Sequence, residues 1–396
     1  MSTRRTRWVV GCMTGTSIDG LDSALATIDG EGEKIEARFV GAVHGPLGAL
    51  RDILTSLARG EPHPPIRYML AARQLGQLHA EAVAELCVRH LPKSAALAMV
   101  VVHGQTICHA PPTANRAESP DQAEPGLSWQ LFDPWPLVRR LGVPVLYDLR
   151  QADLIGGGQG APITPMADWI MFRHPSRHRV IVNLGGICNH TDLPPGGGIE
   201  QVGGGDWGPC NLLIDGLVRR LFPSLDYDVD GRIAARGRPG DFIDGAMKSI
   251  DALRQQRDNF GGRHASLGRE NIGDPLIDRI AAAADADGIA PEDLIASAVE
   301  WVAAMIHRQV SRIADAADIV LAGGGALNPY LVERIDAGRR STDRLIRCDE
   351  LGVPATGREA VAMAVLGAAT QDGLPITLPQ VTACLNPGKA GTWSLP

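Results

Sequence analysis

Three times along this chain a short apolar run breaks into a glycine-rich turn. Trp8-Val9-Val10 runs into Gly11–Asp22, Val180–Leu184 into Gly185-Gly186, and Ile319–Leu321 into Gly323-Gly324-Gly325. A strand that ends in residues lacking a Cβ lets backbone N–H groups close on a ligand, the usual way of holding phosphate. One such turn is weak evidence, because glycine and aspartate also dominate ordinary hairpin turns. Three in one chain constrain the fold far more, and they predict an α/β protein with nucleotide-binding strand ends.

The first of them carries the most chemistry. Gly11 to Asp22 reads Gly-Cys-Met-Thr-Gly-Thr-Ser-Ile-Asp-Gly-Leu-Asp, interleaving Gly15 and Gly20 with Thr16 and Ser17. Asp19 and Asp22 would repel a bare phosphate, so their presence argues for a metal ion between carboxylate and phosphate, most plausibly Mg²⁺. A hairpin turn with no ligand is the competing reading. A P-loop requires Gly-Lys-Ser/Thr and a Rossmann turn requires G-x-G-x-x-G, and neither spacing is present. The chain's lysines are Lys34, Lys93, Lys248 and Lys389, none inside a glycine-rich turn.

A length of 396 residues favours two domains, and 44% hydrophobic with 21% charged residues is a globular composition. A net charge of −7 argues against nucleic acid or an anionic membrane as the main partner and leaves a small-molecule substrate. Arg4, Arg5 and Arg7 precede an apolar stretch too short for a signal peptide, so a cytoplasmic protein is expected. The seven cysteines are scattered, without C-x-x-C pairs, and read as buried free thiols.

The hairpin Trp8–Ile28 is expected to be followed by two helices, the second over Ile66–His90 with Leu75, Leu78, Ala82 and Leu86 as its core stripe. Leu97–Val102 reads as a strand buried on both faces, delivering His103-Gly104-Gln105-Thr106 to its carboxyl end, where ligands meet open α/β sheets. A packed core histidine is the plain alternative for His103. Pro111–Gly126 reads as a surface loop, Leu137–Leu141 as a helix and Val143–Tyr147 as a strand. That strand leads into Asp148-Leu-Arg-Gln-Ala-Asp153 and Gly156–Pro162. A carboxylate ahead of four glycines is a candidate general base, and Arg150 is placed to meet Asp153 or an anionic substrate. A structural ion pair beside a flexible turn is the alternative. Further on, a helix from Pro291 to Ala314 is expected to turn Leu294, Val302, Met305, Ile306 and Ile313 inward, Pro329 to open a helix, Glu359 to start an apolar helix, and Leu374–Pro396 to be extended.

Taken together, these blocks resemble the anhydro-N-acetylmuramic acid kinase family, within the actin, hexokinase and Hsp70 ATPase superfamily. The resemblance is carried by Gly11–Asp22, His103–Thr106, Asp148–Asp153 with Gly157–Pro162, Asn183–Gly186, Asp228–Gly231, Gly268–Glu270, Gly323–Gly325 with Asn328-Pro329, Glu359-Ala360 and Leu378–Ala383. It implies a two-domain actin-like ATPase (ribonuclease H-like) fold with a central cleft, divided as 1–165 and 166–396, the tail packing back on the first domain. It implies ATP with Mg²⁺ as cofactors, a small sugar as substrate, and a homodimer.

For the site, the resemblance implies that Asp153 is the general base and that Glu359 orients the sugar. ATP would lie against Gly15, Thr16, Ser17, Ile18, Asp19, Gly20, Leu21 and Asp22, against Gly185, Gly186, Asp206 and Asn211, and against Gly323, Gly324 and Gly325. Asp19 and Asp22 would hold the metal, and Gln105, Thr106, Asp133, Arg150 and Gly157 the sugar. The chain departs from the family at Phe132, Trp207, Cys210, Leu267 and Leu327, two of these placing a large ring where a small residue is expected. A kinase of the same fold acting on another sugar, and a nucleotide-binding regulatory protein without transfer, are the competing functions. Retention of Asp19, Asp22, Asp153 and Glu359 together speaks against the last.

Overall fold

The computed structural model describes residues 6–112, 125–248 and 274–396. Arg4 and Arg5, most of the Pro111–Gly126 loop, Leu267 and the Gly268–Glu270 block lie outside the described residues. The chain divides into two compact units, Met1–Phe172 with Gly352–Pro396 and Arg173–Leu351. It therefore leaves the first unit after Phe172 and comes back at Gly352, where the sequence suggested a single crossing near residue 165 and a returning tail.

In the first unit, β1 (Arg7–Met13) and β2 (Leu21–Asp29) pair antiparallel across the glycine-rich turn. β3 (Glu36–Gly45) adds antiparallel to β2, and β4 (Leu97–Val102) lies parallel to β1 on its other side. After the two-stranded ribbon β5 (Gln105–Ala110) and β6 (Leu127–Leu131), β7 (Val145–Tyr147) extends the sheet parallel to β4. The strand Thr392–Ser394 closes that edge, antiparallel to β7. Val100, Val101 and Val102 of β4 are fully buried, as a strand covered on both faces requires.

Two glycines let a helix lie directly on this sheet. A Cβ on Gly11 of β1 would overlap the carbonyl oxygen of Ala360, and one on Gly367 would overlap the side chain of Val101. The helix they admit, Arg358–Gln371, has almost every side chain buried, so it shows no polar face. At its start Arg358 donates from Nε to Asp168 Oδ1 (2.9 Å) and from Nη2 to Asp168 Oδ2, both residues being almost fully buried.

The second unit repeats the arrangement. β8 (Arg179–Leu184), β9 (Ile187–Leu193) and β10 (Gly203–Pro209) form an antiparallel meander, and β11 (Asp318–Ala322) and β12 (Arg344–Arg347) continue parallel on the other side of β8. In each unit the order is third, second and first strand, then two parallel neighbours. The same ribonuclease H-like strand order is thus present twice.

Several expectations need correction. β3 intervenes between the first hairpin and the helices Leu50–Ala58 and Pro65–His90. Its polar–apolar alternation, Glu36-Ala37-Arg38-Phe39, was the available signal. The tail is not simply extended, since Pro379–Thr382 is a short helix and Thr392–Ser394 a paired strand. Ile313, the last residue of the helix Pro291–Ile313, is only half-buried. Of the thiols, Cys108 is exposed and Cys87 half-buried, while Cys12, Cys188, Cys210, Cys348 and Cys384 are buried.

Candidate functional site

In the first unit the turn after β1 exposes Thr16, Ser17 and Asp19 and buries Ile18 completely. Ile18 sits at φ +55°, a left-handed conformation costly for a β-branched residue, and its N–H donates to Gly15 O (3.2 Å). The buried side chain of Ile18 anchors the turn while its neighbours face outward. Gln105, fully buried at the start of β5, donates from Nε2 to Gly15 O (3.3 Å). The hydroxyl of Thr14 and the amide oxygen of Gln105 are buried with no hydrogen-bond partner among the described residues. Buried polar atoms are normally paired, so these two are exceptions beside the turn.

Asp22, the second residue of β2, accepts from His44 Nδ1 on β3 (2.8 Å). Burial pushes its carboxyl pKa upward, opposed by His44 and reinforced by Asp19. Burial likewise raises Glu359 above the usual carboxylate range; Arg358 and Arg150 act against the shift, and Asp22 and Asp168 with it. Asp22 thus feels the charge of Asp19 and in turn acts on Glu359. Among the described residues no group of three or more His, Cys, Asp or Glu side chains gathers as a complete metal cage.

Asp153 lies in the one-turn helix Gln151–Ile155, 1% exposed. Its Oδ2 accepts the N–H of Gly160 (2.7 Å) and its Oδ1 accepts the hydroxyl of Thr382 (2.7 Å). A Cβ on Gly158 would overlap the carboxylate, so the glycine run lets backbone wrap Asp153 closely. Arg150 donates from Nη1 to Gly160 O (2.6 Å) and from Nε and Nη2 to His103 Nε2 (3.1 and 2.8 Å). Burial and the Arg150 charge push His103 down to about 3, so it is a neutral imidazole whose Nδ1–H donates to Gly104 O (2.8 Å). His103 is neither an idle core residue nor a ligand: it is the acceptor that fixes Arg150.

The other sugar-binding candidates divide. Thr106 is half-buried on β5, and Gly157 turns at φ +88° within the loop after Asp153. Asp133 is engaged elsewhere: it accepts from Arg73 Nε and from the Trp135 N–H (3.0 Å), starting the helix Trp135–Leu141. Phe132 packs edge-on against His79 and Tyr147 at ring-centroid distances of 5.9 and 5.8 Å, against the hydrophobic core. Sequence reasoning missed Thr382, and the only signal for it was the Leu378–Ala383 block itself.

His79 gives this unit a pH dependence. It is fully buried in the helix Pro65–His90, neither ring nitrogen has a hydrogen-bond partner among the described residues, and burial pushes it from 6.5 down to about 4. Between those values the unfolded chain binds the proton and the folded one does not, so stability falls as pH drops from about 6.5 toward 4. Denaturation in urea across that range should show the loss, and His79→Leu should remove up to about 3 kcal/mol of it.

In the second unit the remaining glycine turns converge. Gly185 O accepts the Asn211 N–H (3.1 Å), and Gly186 O accepts those of Cys210 and Leu212 (3.0 Å each), tying the β8–β9 turn to the start of the helix Asn211–Leu221. Asn211 Nδ2 donates to Leu184 O (3.0 Å). Gly323 turns at φ +83°, where a Cβ would crowd Asn183 Oδ1 and Leu184, and a Cβ on Gly325 would press on Leu184 and Asn211. The strand ends of β8 and β11 are therefore bare backbone around Asn211. Asp206 is half-buried on β10, paired across to Asn189. Trp207 is 4% exposed and stacks on His190 at 4.4 Å, a core position. Asp228 accepts from the N–H groups of Ile233 and Ala234 (2.8 and 3.0 Å), and Asn328 caps the helix Pro329–Gly338 through the Leu331 N–H (3.1 Å). Leu327 is 60% exposed.

Component A of the Acidaminococcus fermentans (R)-2-hydroxyglutaryl-CoA dehydratase superposes with a TM-score of 0.45 at 11% identity, covering 92% of this chain and 99% of that one, too remote to bear on function. The anhydro-N-acetylmuramic acid kinase of Salinibacter ruber is 35% identical over 99% of this chain and 97% of its own. That of Gloeothece citriformis is 33% identical over 98% of this chain and 99% of its own. The family profile for anhydro-N-acetylmuramic acid kinase matches residues 7–394. With both glycine-turn sheets, the buried Asp153 and this whole-length match in hand, the chain belongs to the anhydro-N-acetylmuramic acid kinase family.

Proposed function

We propose that this kinase opens the 1,6-anhydro bridge of 1,6-anhydro-N-acetylmuramic acid with water and transfers the γ-phosphoryl group of ATP to the freed O6. The product is N-acetylmuramic acid 6-phosphate, an intermediate suited to peptidoglycan recycling. The observation that carries this reading is the buried Asp153, fixed at both oxygens and set beside an Arg150 that His103 holds in place.

In this reading Asp153 takes a proton from the water that attacks the anomeric carbon, as the base of an inverting glycosidase does. The C1–O6 bond breaks, and O6 becomes the acceptor of the phosphoryl group. Glu359 orients the sugar, with Gln105, Thr106, Arg150 and Gly157 as its further contacts. Phosphoryl transfer asks for positioning and charge neutralisation rather than covalent help. The Gly15–Asp22 turn and the Gly185-Gly186, Asp206, Asn211 and Gly323–Gly325 backbone would hold the nucleotide. Asp19 and Asp22 would hold Mg²⁺, which neutralises phosphate charge when bound. The unpartnered Thr14 hydroxyl and Gln105 amide oxygen support ligand binding at that turn. We place the enzyme in the cytoplasm as a homodimer.

Addition of 1,6-anhydro-N-acetylmuramic acid to the protein with ATP and Mg²⁺ should release ADP. Nucleotide binding without sugar-dependent ADP release would put the substrate assignment aside and keep the kinase fold. ATP with Mg²⁺ should also raise the melting temperature, by the equivalent of about 2.7 kcal/mol at a hundredfold excess over Kd. Asp22→Asn should lose most of that rise while nucleotide without metal acts on both proteins alike.

A further inference from the structure

The chain's last segment reaches the general base. Helix Pro379–Thr382 ends at Ala383, whose φ of +59° is a left-handed conformation usually given to glycine or asparagine. This abrupt turn sets Thr382 and Cys384 toward the same carboxylate. The Thr382 hydroxyl donates to Asp153 Oδ1 at 2.7 Å, and Cys384, 2% exposed, lies with Asp153 against Gly158, where one Cβ would meet both side chains. The backbone closes the same contact: Gln159 N–H donates to Thr382 O (2.8 Å) and Leu385 N–H to Gly156 O (3.1 Å). Glycine is required on the facing side, where a Cβ on Gly156 or Gly158 would crowd Cys384.

We propose that Thr382, backed by Cys384, is a positioning residue that holds the Asp153 carboxylate in its catalytic orientation, an assignment resting on the reading of Asp153 as the base. A carboxylate in a helix of one turn would otherwise rotate about its own side-chain bonds. Gly160 N–H fixes one oxygen only. With the hydroxyl on the second, both torsions are set, and the lone pairs not used by these donors are the ones offered to water. Such preorganisation acts on kcat, because it shapes the attacking geometry without adding a contact to bound sugar.

Thr382→Val replaces the hydroxyl by a methyl group of nearly the same size, and Thr382→Ser restores it. Sugar-dependent ADP release should fall about tenfold or more in kcat for Thr382→Val with KM within about twofold, and Thr382→Ser should stay within about threefold of the parent. In an Asp153→Asn background, Thr382→Val should cost nothing further in kcat, since the group it positions is gone. Equal losses for valine and serine, an effect on KM alone, or full additivity with Asp153→Asn would overturn the proposal. If the parent ignores this sugar, the substrate reading has failed, and the clamp is then judged from stability. Urea midpoints of the parent, Thr382→Val, Asp153→Ala and the double variant, in which alanine leaves the hydroxyl no side-chain partner, should be non-additive because hydroxyl and carboxylate are coupled, and additive midpoints would overturn it.

Discussion

Asp153→Asn lowers sugar-dependent ADP release by ~10²-fold or more and leaves the fold intact. The amide has the carboxylate's shape and can keep both of its neighbours. Its oxygen can face the Gly160 N–H, and its NH2 can donate to the Thr382 hydroxyl, which is free to turn and accept. What the amide lacks is basicity. The urea midpoint of the variant should therefore sit close to the parent's while kcat collapses, and nucleotide should still raise the melting temperature. A variant that keeps full activity would remove Asp153 from the reaction.

Arg358→Met should be the most destabilising single change in the first unit. The guanidinium is 1% exposed and the Asp168 carboxylate completely buried, so the variant strips a buried charge of its counter-charge. Breaking such a pair costs ~3–5 kcal/mol, a large part of the stability of an ordinary domain. Replacing both members, Arg358→Met with Asp168→Leu, should recover much of the loss, because the burden lies in the uncompensated charge. Urea denaturation of the single and double variants reads this directly. Recovery would show that the pair fixes the start of the helix Arg358–Gln371 rather than supplying net stability.

The strands that end in glycine were legible because continuous valine, isoleucine and leucine runs and missing Cβ atoms are local signals. So were the helices Pro65–His90 and Pro291–Ile313, through their apolar periodicity. β3 was missed because an edge strand buries little, and Gly41 interrupts its apolar face. Asp19, Asp22, Asp153 and Glu359 could be singled out as chemically active types. Nothing in the chain said how His103 would be held neutral, since that depends on its burial first and then on Arg150, remote from it in sequence, donating to its ring. Trp207 and Phe132 looked like obstructions. Their rings proved to be packing groups, stacked on His190 and wedged beside His79, which residue identity at a motif position does not reveal.

The return of the chain at Gly352 has a consequence for how the protein is made. The second unit is one uninterrupted stretch, Arg173–Leu351, and has all its strands as soon as that stretch has left the ribosome. The first unit is begun earlier and finished later. Until Arg358–Gln371 is synthesised, β1 lacks the helix that its Gly11 is shaped to receive, and β7 keeps a bare edge until Thr392–Ser394 arrives. The half of the molecule that starts first therefore matures last, and during translation its valine-rich sheet stays uncovered the longest.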